Sequence, residues 1–204
     1  MRNFSKLSIV LTHEEKENSA FSAPLVEVRS GNNVIQVSNF ETALKMVPQG
    51  STVYVFVSGS LSNATMHNLS RVIRESGALV SLDLSSVTDL SRVFDSPFKE
   101  NHNLLSISFP CNMLSLNPQA LAGCKNLESV TIPATVQKIG EQAFAGCEKL
   151  SYLRFDSPEN WFITPEQDKK LEVRGLDKSD DNPFRFSLPS SPLRNCTLNK
   201  ALDA

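Results

Sequence analysis

The hydrophobic and polar positions repeat along the middle of the chain. Segments that start at Leu104, Leu127 and Leu150 follow one another at intervals of 23 residues, and each has an aliphatic residue three positions after the Leu and an apolar residue two positions later. The segment that starts at Leu79 fits this pattern at a spacing of 25 residues, and the segment that starts at Thr52 fits it loosely at a spacing of 27. Because self-similarity at a fixed period marks stacked repeats, each unit is predicted to contribute one short strand to a parallel sheet.

The second half of each unit repeats as well. The aligned pairs are Leu116 with Ile139, Ala120 with Ala143, Leu121 with Phe144, Gly123 with Gly146, and Cys124 with Cys147. The predicted core stacks Leu127, Val130, Ile132, Ile139 and Phe144 on Leu104, Ile107, Phe109, Leu116 and Leu121. No unit can bury its apolar face alone, so we expect the units to fold together.

Two helices and a strand are predicted before the repeats. Ser38 and Glu41 have the spacing of a capping box, which starts a helix that stops at Pro48. Its buried face is predicted to be Phe40, Ala43, Leu44 and Val47. Residues 53–57 form an uninterrupted apolar run, which predicts a strand covered on both faces. A second helix is predicted over residues 63–77, with a buried face of Met66, Leu69, Val72 and Ile73.

Residues 127–147, LESVTIPATVQKIGEQAFAGC, resemble the repeat of BspA-type leucine-rich repeat proteins, which are best known from treponemes and other host-associated bacteria. This resemblance implies a leucine-rich repeat solenoid. It also implies a non-enzymatic scaffold that binds a protein or peptide, with a host or matrix component as one such partner. Relatives are commonly exported to the cell surface or periplasm, but no signal peptide is legible in this sequence.

The other units depart from the family repeat. Pro118 stands where the best unit has Glu, Leu121 replaces the usual Phe, and Asn101 occupies the position of the Cys. The resemblance is close over residues 79–164, which include a shortened last unit, and weaker over residues 33–78. It is specific for the fold and weak for the function.

The predicted fold class is α/β: a short leucine-rich repeat solenoid with parallel strands and an N-terminal strand-helix-strand-helix cap. The predicted parts are a loosely held arm over residues 1–32, the cap over 33–78, repeats of about 23 residues over 79–165 and a capping tail over 166–204. In the tail, Phe184, Phe186 and Leu188 alternate with polar residues, which favours a short strand covering the last repeat over plain disorder.

The charge balance narrows the choice of partner. The chain has 204 residues, with 20 Lys and Arg against 22 Asp and Glu, so its net charge is -2. Because phosphate backbones demand a basic surface, nucleic acid is not expected as a partner. No apolar run approaches the roughly 18 residues of a membrane span. The expected partner is therefore a protein or peptide.

No catalytic motif is visible, so neither an enzyme nor a cofactor is expected. His13, His67 and His102 do not have the spacing of metal ligands. Residues 177–181 resemble the start of a calcium loop, but Asn182 replaces its turn glycine, so a solvated turn is favoured. Asp83 and Arg154 lie three repeats apart, which favours exposed strand charges over an acid-base pair.

The four cysteines need a local explanation. Cys124 and Cys147 lie in adjacent units at a distance that a disulfide permits, yet both side chains are expected to point the same way into the core. Buried thiols are therefore predicted. The state of Cys111 and Cys196 cannot be read from the sequence.

The candidate binding surface is the solvent face of the parallel strands. Its predicted residues are Tyr54, Phe56, Ser81, Asp83, Ser106, Ser108, Ser129, Thr131, Tyr152 and Arg154. Two alternatives stay open: the hydroxyls may be merely tolerated on an exposed strand, and the two aromatic residues may be buried under the N-terminal arm. A second functional hypothesis is a small-ligand or glycan receptor, with Tyr54 and Phe56 as stacking platforms in a pocket between the cap and the first repeats.

Overall fold

A computed structural model describes residues 7–12, 25–30, 33–37, 40–59, 61–88, 92–93, 96–157, 161–164 and 197–200. The strands are β1 (Leu7–Thr12), β2 (Leu25–Ser30), β3 (Asn33–Val37), β4 (Thr52–Gly59), β5 (Leu79–Val87), β6 (Arg92–Val93), β7 (Leu104–Ser108), β8 (Ser115–Leu116), β9 (Ser129–Ile132), β10 (Lys138–Ile139), β11 (Tyr152–Phe155), β12 (Trp161–Thr164) and β13 (Thr197–Lys200). The helices are α1 (Phe40–Lys45) and α2 (Asn63–Glu75). The predicted α/β class is confirmed.

The larger sheet has eight strands in the order β11, β9, β7, β5, β4, β1, β2, β3. The strands from β11 to β1 pair in parallel, whereas β1 with β2 and β2 with β3 pair in antiparallel fashion. The parallel part is the sheet that stacked repeats predict. The antiparallel part extends it at the N-terminal end.

The strand register follows the sequence repeat. Ser106 pairs with Ser129, and Ser129 pairs with Tyr152, each 23 residues further along the chain. One strand earlier, Ser81 pairs with Ser106 at a spacing of 25, and Tyr54 pairs with Ser81 at a spacing of 27. The predicted spacings are therefore confirmed. The longer ones coincide with register irregularities between β5 and β7 and between β4 and β5.

The smaller sheet has five strands in the order β12, β13, β10, β8, β6. The parallel strands β6, β8 and β10 contribute two residues each and are related by the same 23-residue step. At its other end, β13 pairs in antiparallel fashion with β10 and β12. The sequence analysis did not predict this sheet as a separate layer.

The core lies where the repeat predicts it. All ten residues of the predicted stack are buried, and Phe144 and Ile139 are each 1% exposed. The predicted inner faces of both helices are buried as well. The Ser62 side chain accepts a hydrogen bond from the Thr65 amide at the start of α2.

The prediction that residues 53–57 are covered on both faces is wrong. Val53, Val55 and Val57 are buried, but Tyr54 is half-buried and Phe56 is 41% exposed. Aromatic and β-branched residues favour strands even where one face is solvated, so an unbroken apolar run does not by itself distinguish one covered face from two.

The region predicted as a loosely held arm contributes two strands to the larger sheet. The backbone of β1 pairs in parallel with β4, and Leu7 faces Val53 in the register. β2 joins β1 to β3. The capping residue Ser38, the candidate calcium loop at 177–181 and the predicted strand at Phe184, Phe186 and Leu188 lie outside the described residues, as does Cys196.

Equivalent positions of three successive units bind to the preceding layer through a buried side chain. The Cys147 thiol donates to the carbonyl of Leu121 at 3.1 Å, and the Cys124 thiol donates to the carbonyl of Phe98 at 3.0 Å. Asn101 stands at this position one unit earlier and is 0% exposed. Its amide nitrogen donates to the Ser70 carbonyl at 3.0 Å, so it ties the first repeat to α2.

The predicted thiols are confirmed for both cysteines of this ladder, which form no disulfide. Burial raises the pKa of the Cys124 thiol to about 12, and Cys147 nearby acts in the same direction. Cys111, in contrast, is exposed. The Cys124 thiol is therefore protonated at ordinary pH, and both ladder thiols donate hydrogen bonds within the core.

Candidate functional site

The parallel register brings all the predicted surface residues onto the outer face of the larger sheet. In one row, Tyr54, Ser81, Ser106, Ser129 and Tyr152 are paired from β4 to β11. In the next row, the paired residues are Phe56, Asp83, Ser108, Thr131 and Arg154. The residues between them along each strand are buried, so the two rows face away from the core.

The centre of this face is lined by small side chains. Ser106, Ser108, Ser129 and Thr131 are all half-buried. Larger side chains stand at both ends, with Tyr54 and Phe56 on β4 and Tyr152 and Arg154 on β11. Four steps of about 4.8 Å between strands separate the two ends by roughly 19 Å. The outer face is thus a hydroxyl-lined strip between two taller borders.

Only some of the charged side chains on this face have a partner of opposite charge. Arg154 is exposed and its Nε lies 3.2 Å from Oδ1 of Asp156, so these two charges compensate each other. Asp83 accepts a hydrogen bond from the Ser85 amide at 2.9 Å, and no cation pairs with it among the described residues. The described part of the face therefore carries a net negative charge.

Asp83 and Arg154 do not form a joint site. They lie on β5 and β11, with two strands between them, and Arg154 pairs with Asp156 instead. Within the described residues, no group of three His, Cys, Asp or Glu side chains could hold a metal ion. Asp156 could not be identified as part of this surface from the repeat, because it lies one residue beyond β11.

A concave region lies on the smaller sheet. It is a groove of about 520 Å³ along β8 and β10. Its described lining includes Leu114, Asn117, Lys138 and Glu141. Leu114 is 46% exposed, which makes it one of the larger apolar side chains on the surface. No repeated sequence signal marked this groove, because its lining mixes apolar, amide and charged side chains.

The stacked units, their parallel sheet and their single core define this part of the chain as a leucine-rich repeat solenoid. Residues 91–162 match the family model described as BspA type leucine rich repeat region (6 copies), which supports the resemblance noted in the sequence. Such solenoids present extended surfaces for binding and are generally non-enzymatic, which suggests a protein-interaction scaffold.

Comparison with curated proteins gives no match. Among the described residues, neither helix has the length and apolar character needed to cross a membrane. The match begins close to β6, although β5 and β4 continue the parallel ladder on its N-terminal side. The step between β6 and β8 is the regular 23 residues, whereas the steps between β5 and β7 and between β4 and β5 are longer.

Proposed function

We propose that this chain is a non-enzymatic scaffold that holds a protein or an extended peptide on the outer face of its larger sheet. The observation that carries the proposal is the alignment of outward residues across five parallel strands. An extended partner can approach the backbone closely over the small hydroxyls, which donate and accept hydrogen bonds. The borders supply Tyr and Arg, residue types that are enriched among binding hot spots.

The partner is proposed to be a host or matrix component. This part rests on the resemblance to BspA-type proteins of host-associated bacteria, not on a contact in the molecule. The cell surface or periplasm is the location that the same resemblance favours. Hydroxyl groups can form hydrogen bonds with the amides of any extended polypeptide. The face therefore indicates the class of the partner, and it does not identify one particular protein.

A small-ligand or glycan receptor is the second candidate. It is favoured by Phe56, a residue that is 41% exposed beside half-buried Tyr54 and whose ring could stack on an apolar face of a ligand. The groove described above lies on the smaller sheet, away from these two residues. The extended partner is favoured by the alignment of outward residues across five strands, which a ligand stacked on Phe56 alone would not use.

The double substitution Tyr152→Ser and Arg154→Thr is expected to weaken binding of the partner at least tenfold, or by about 1.4 kcal/mol. It gives β11 the residues that β9 has at these positions, Ser129 and Thr131. Stability should change by no more than about 0.5 kcal/mol, since an exposed ion pair contributes little. The probe is the tightest peptide selected from a random display library on the immobilised folded chain, with affinity measured by calorimetry.

The matched control is Gln137→Ser with Lys138→Thr, a pair of exposed neighbours on the smaller sheet. It should leave the affinity unchanged. If the control loses binding while the β11 variant keeps it in full, the binding surface lies on the smaller sheet. A large loss of stability in the β11 variant would mean that Tyr152 or Arg154 has a structural role.

A further inference from the structure

One corner of the outer face combines an exposed aromatic ring with a carboxylate. Phe56 on β4 and Asp83 on β5 are register partners, so their Cα atoms lie about one strand spacing apart, or roughly 4.8 Å. Both side chains project from the outer face, since Val55, Val57 and Leu82 next to them are buried. The aromatic ring and the carboxylate therefore project from neighbouring strands of the same face, with Phe56 exposed and Asp83 half-buried.

Asp83 differs from Asp156, the other carboxylate that the structure describes near this face. The Asp156 carboxylate is occupied by the Arg154 guanidinium, whereas Asp83 receives one backbone amide. A carboxylate has room for about four hydrogen bonds, so Asp83 keeps acceptor capacity for a further donor. Among the described residues, no Lys or Arg side chain uses that capacity.

We infer that this corner, made of Phe56 and Asp83, binds a cationic side chain of the partner, an arginine or a lysine in an extended segment. A cation can lie against the face of an aromatic ring and pair with a neighbouring carboxylate at the same time. Arginine fits best, because its planar guanidinium can stack on Phe56 while its N–H groups reach Asp83.

The charge of the surrounding face supports a basic partner. Arg154 is already compensated by Asp156, so Asp83 leaves the described part of the face with a negative charge. A basic segment would thus be attracted to the face before it docks, and a salt-dependent association rate is expected. This inference rests on the proposed function and adds the chemistry of one partner residue.

The test is a titration of the isotope-labelled chain, followed by NMR, with the peptide N-acetyl-Gly-Arg-Gly-amide. The same peptide with Gln in place of Arg is the reference. The Arg peptide should shift the amide signals of Phe56, Asp83 and their strand neighbours, and the Gln peptide should leave them in place. Asp83→Asn should weaken binding of the Arg peptide at least threefold, and Phe56→Leu at least twofold.

The matched control is Asp156→Asn, which removes one negative charge from the same face but not from this corner. It should leave the affinity of the Arg peptide unchanged. No shift with the Arg peptide, equal shifts with both peptides, or an unaltered affinity in Asp83→Asn would each overturn the inference.

Library-selected peptides separate this inference from the proposed function. If their binding falls in the Tyr152→Ser, Arg154→Thr variant but is unchanged in Asp83→Asn, the strand face remains the binding surface and the cation site is wrong. If their binding is insensitive to both variants, the proposed function fails as well. Selected sequences rich in Arg and Lys that lose affinity in Asp83→Asn support both.

Discussion

Replacing Phe144 by Ala is expected to lower the free energy of unfolding by about 3 to 5 kcal/mol, because the lost transfer energy of the ring adds to the cost of a cavity. Phe144 is 1% exposed and occupies the same position as Leu121 in the preceding unit. The neighbouring coils are joined by backbone hydrogen bonds, such as that from the Leu121 amide to the Ala143 carbonyl at 2.9 Å. The surrounding structure can therefore collapse only partly into the cavity.

Urea unfolding followed by circular dichroism measures this loss. Phe56→Ala is the matched control, since it removes the same ring from an exposed position and should cost much less. A loss below about 1 kcal/mol for Phe144→Ala, far under the usual range for a buried Phe, would contradict the assigned core.

Replacing Gly140 by Ala is expected to destabilise the chain by about 3 kcal/mol, at the upper end of the usual range for overpacking. A methyl group at Gly140 would meet the backbone of the preceding unit, with the Asn117 carbonyl carbon at 2.6 Å, the Pro118 Cα at 2.7 Å and the Pro118 nitrogen closer still. Backbone atoms cannot rotate away as a side chain can. The two coils would have to separate locally, although the Gly140 amide holds the Leu116 carbonyl at 2.8 Å.

Gly50→Ala provides the comparison. Gly50 has a φ of 76° and nothing within 4 Å of the added methyl group, so its substitution isolates the cost of the left-handed backbone, about 1 to 2 kcal/mol. Thermal and urea unfolding of both variants should place Gly140→Ala below Gly50→Ala in stability. The reverse order would argue against the close approach of the coils at Gly140.

The sequence repeat predicted the parallel ladder and its core well, for a physical reason. A fixed step of 23 residues places equivalent apolar side chains over one another, and that alignment is visible in Leu104, Leu127 and Leu150 without any structure. The outward rows followed from the same register. Their geometry is confirmed by the strand pairing, while their role in binding remains a proposal.

Features that depend on single contacts between distant segments were not predicted. The pairing of β1 with β4 joins segments 46 residues apart and leaves no periodic signal. Asn101 looked like a departure from the repeat, yet its side chain bonds to Ser70 of α2, so the substitution serves the junction between helix and repeats. Gly140 likewise gave no signal, because close backbone approach is a property of two coils together.

Three large exposed apolar side chains lie on different surfaces of the molecule. Phe56 lies on the outer face of the larger sheet, Leu114 lines the groove on the smaller sheet, and Met46 follows α1. They are 41%, 46% and 62% exposed, so all three should react with hydroxyl radicals in the unbound chain.

Hydroxyl-radical footprinting with and without a saturating library-selected peptide therefore tests most directly whether the outer face binds the partner. Binding on the outer face predicts that oxidation of Phe56 and Tyr152 falls several-fold, while oxidation of Leu114 and Met46 stays the same. Protection of Leu114 or Met46, with Phe56 and Tyr152 still oxidised as in the unbound chain, would contradict it.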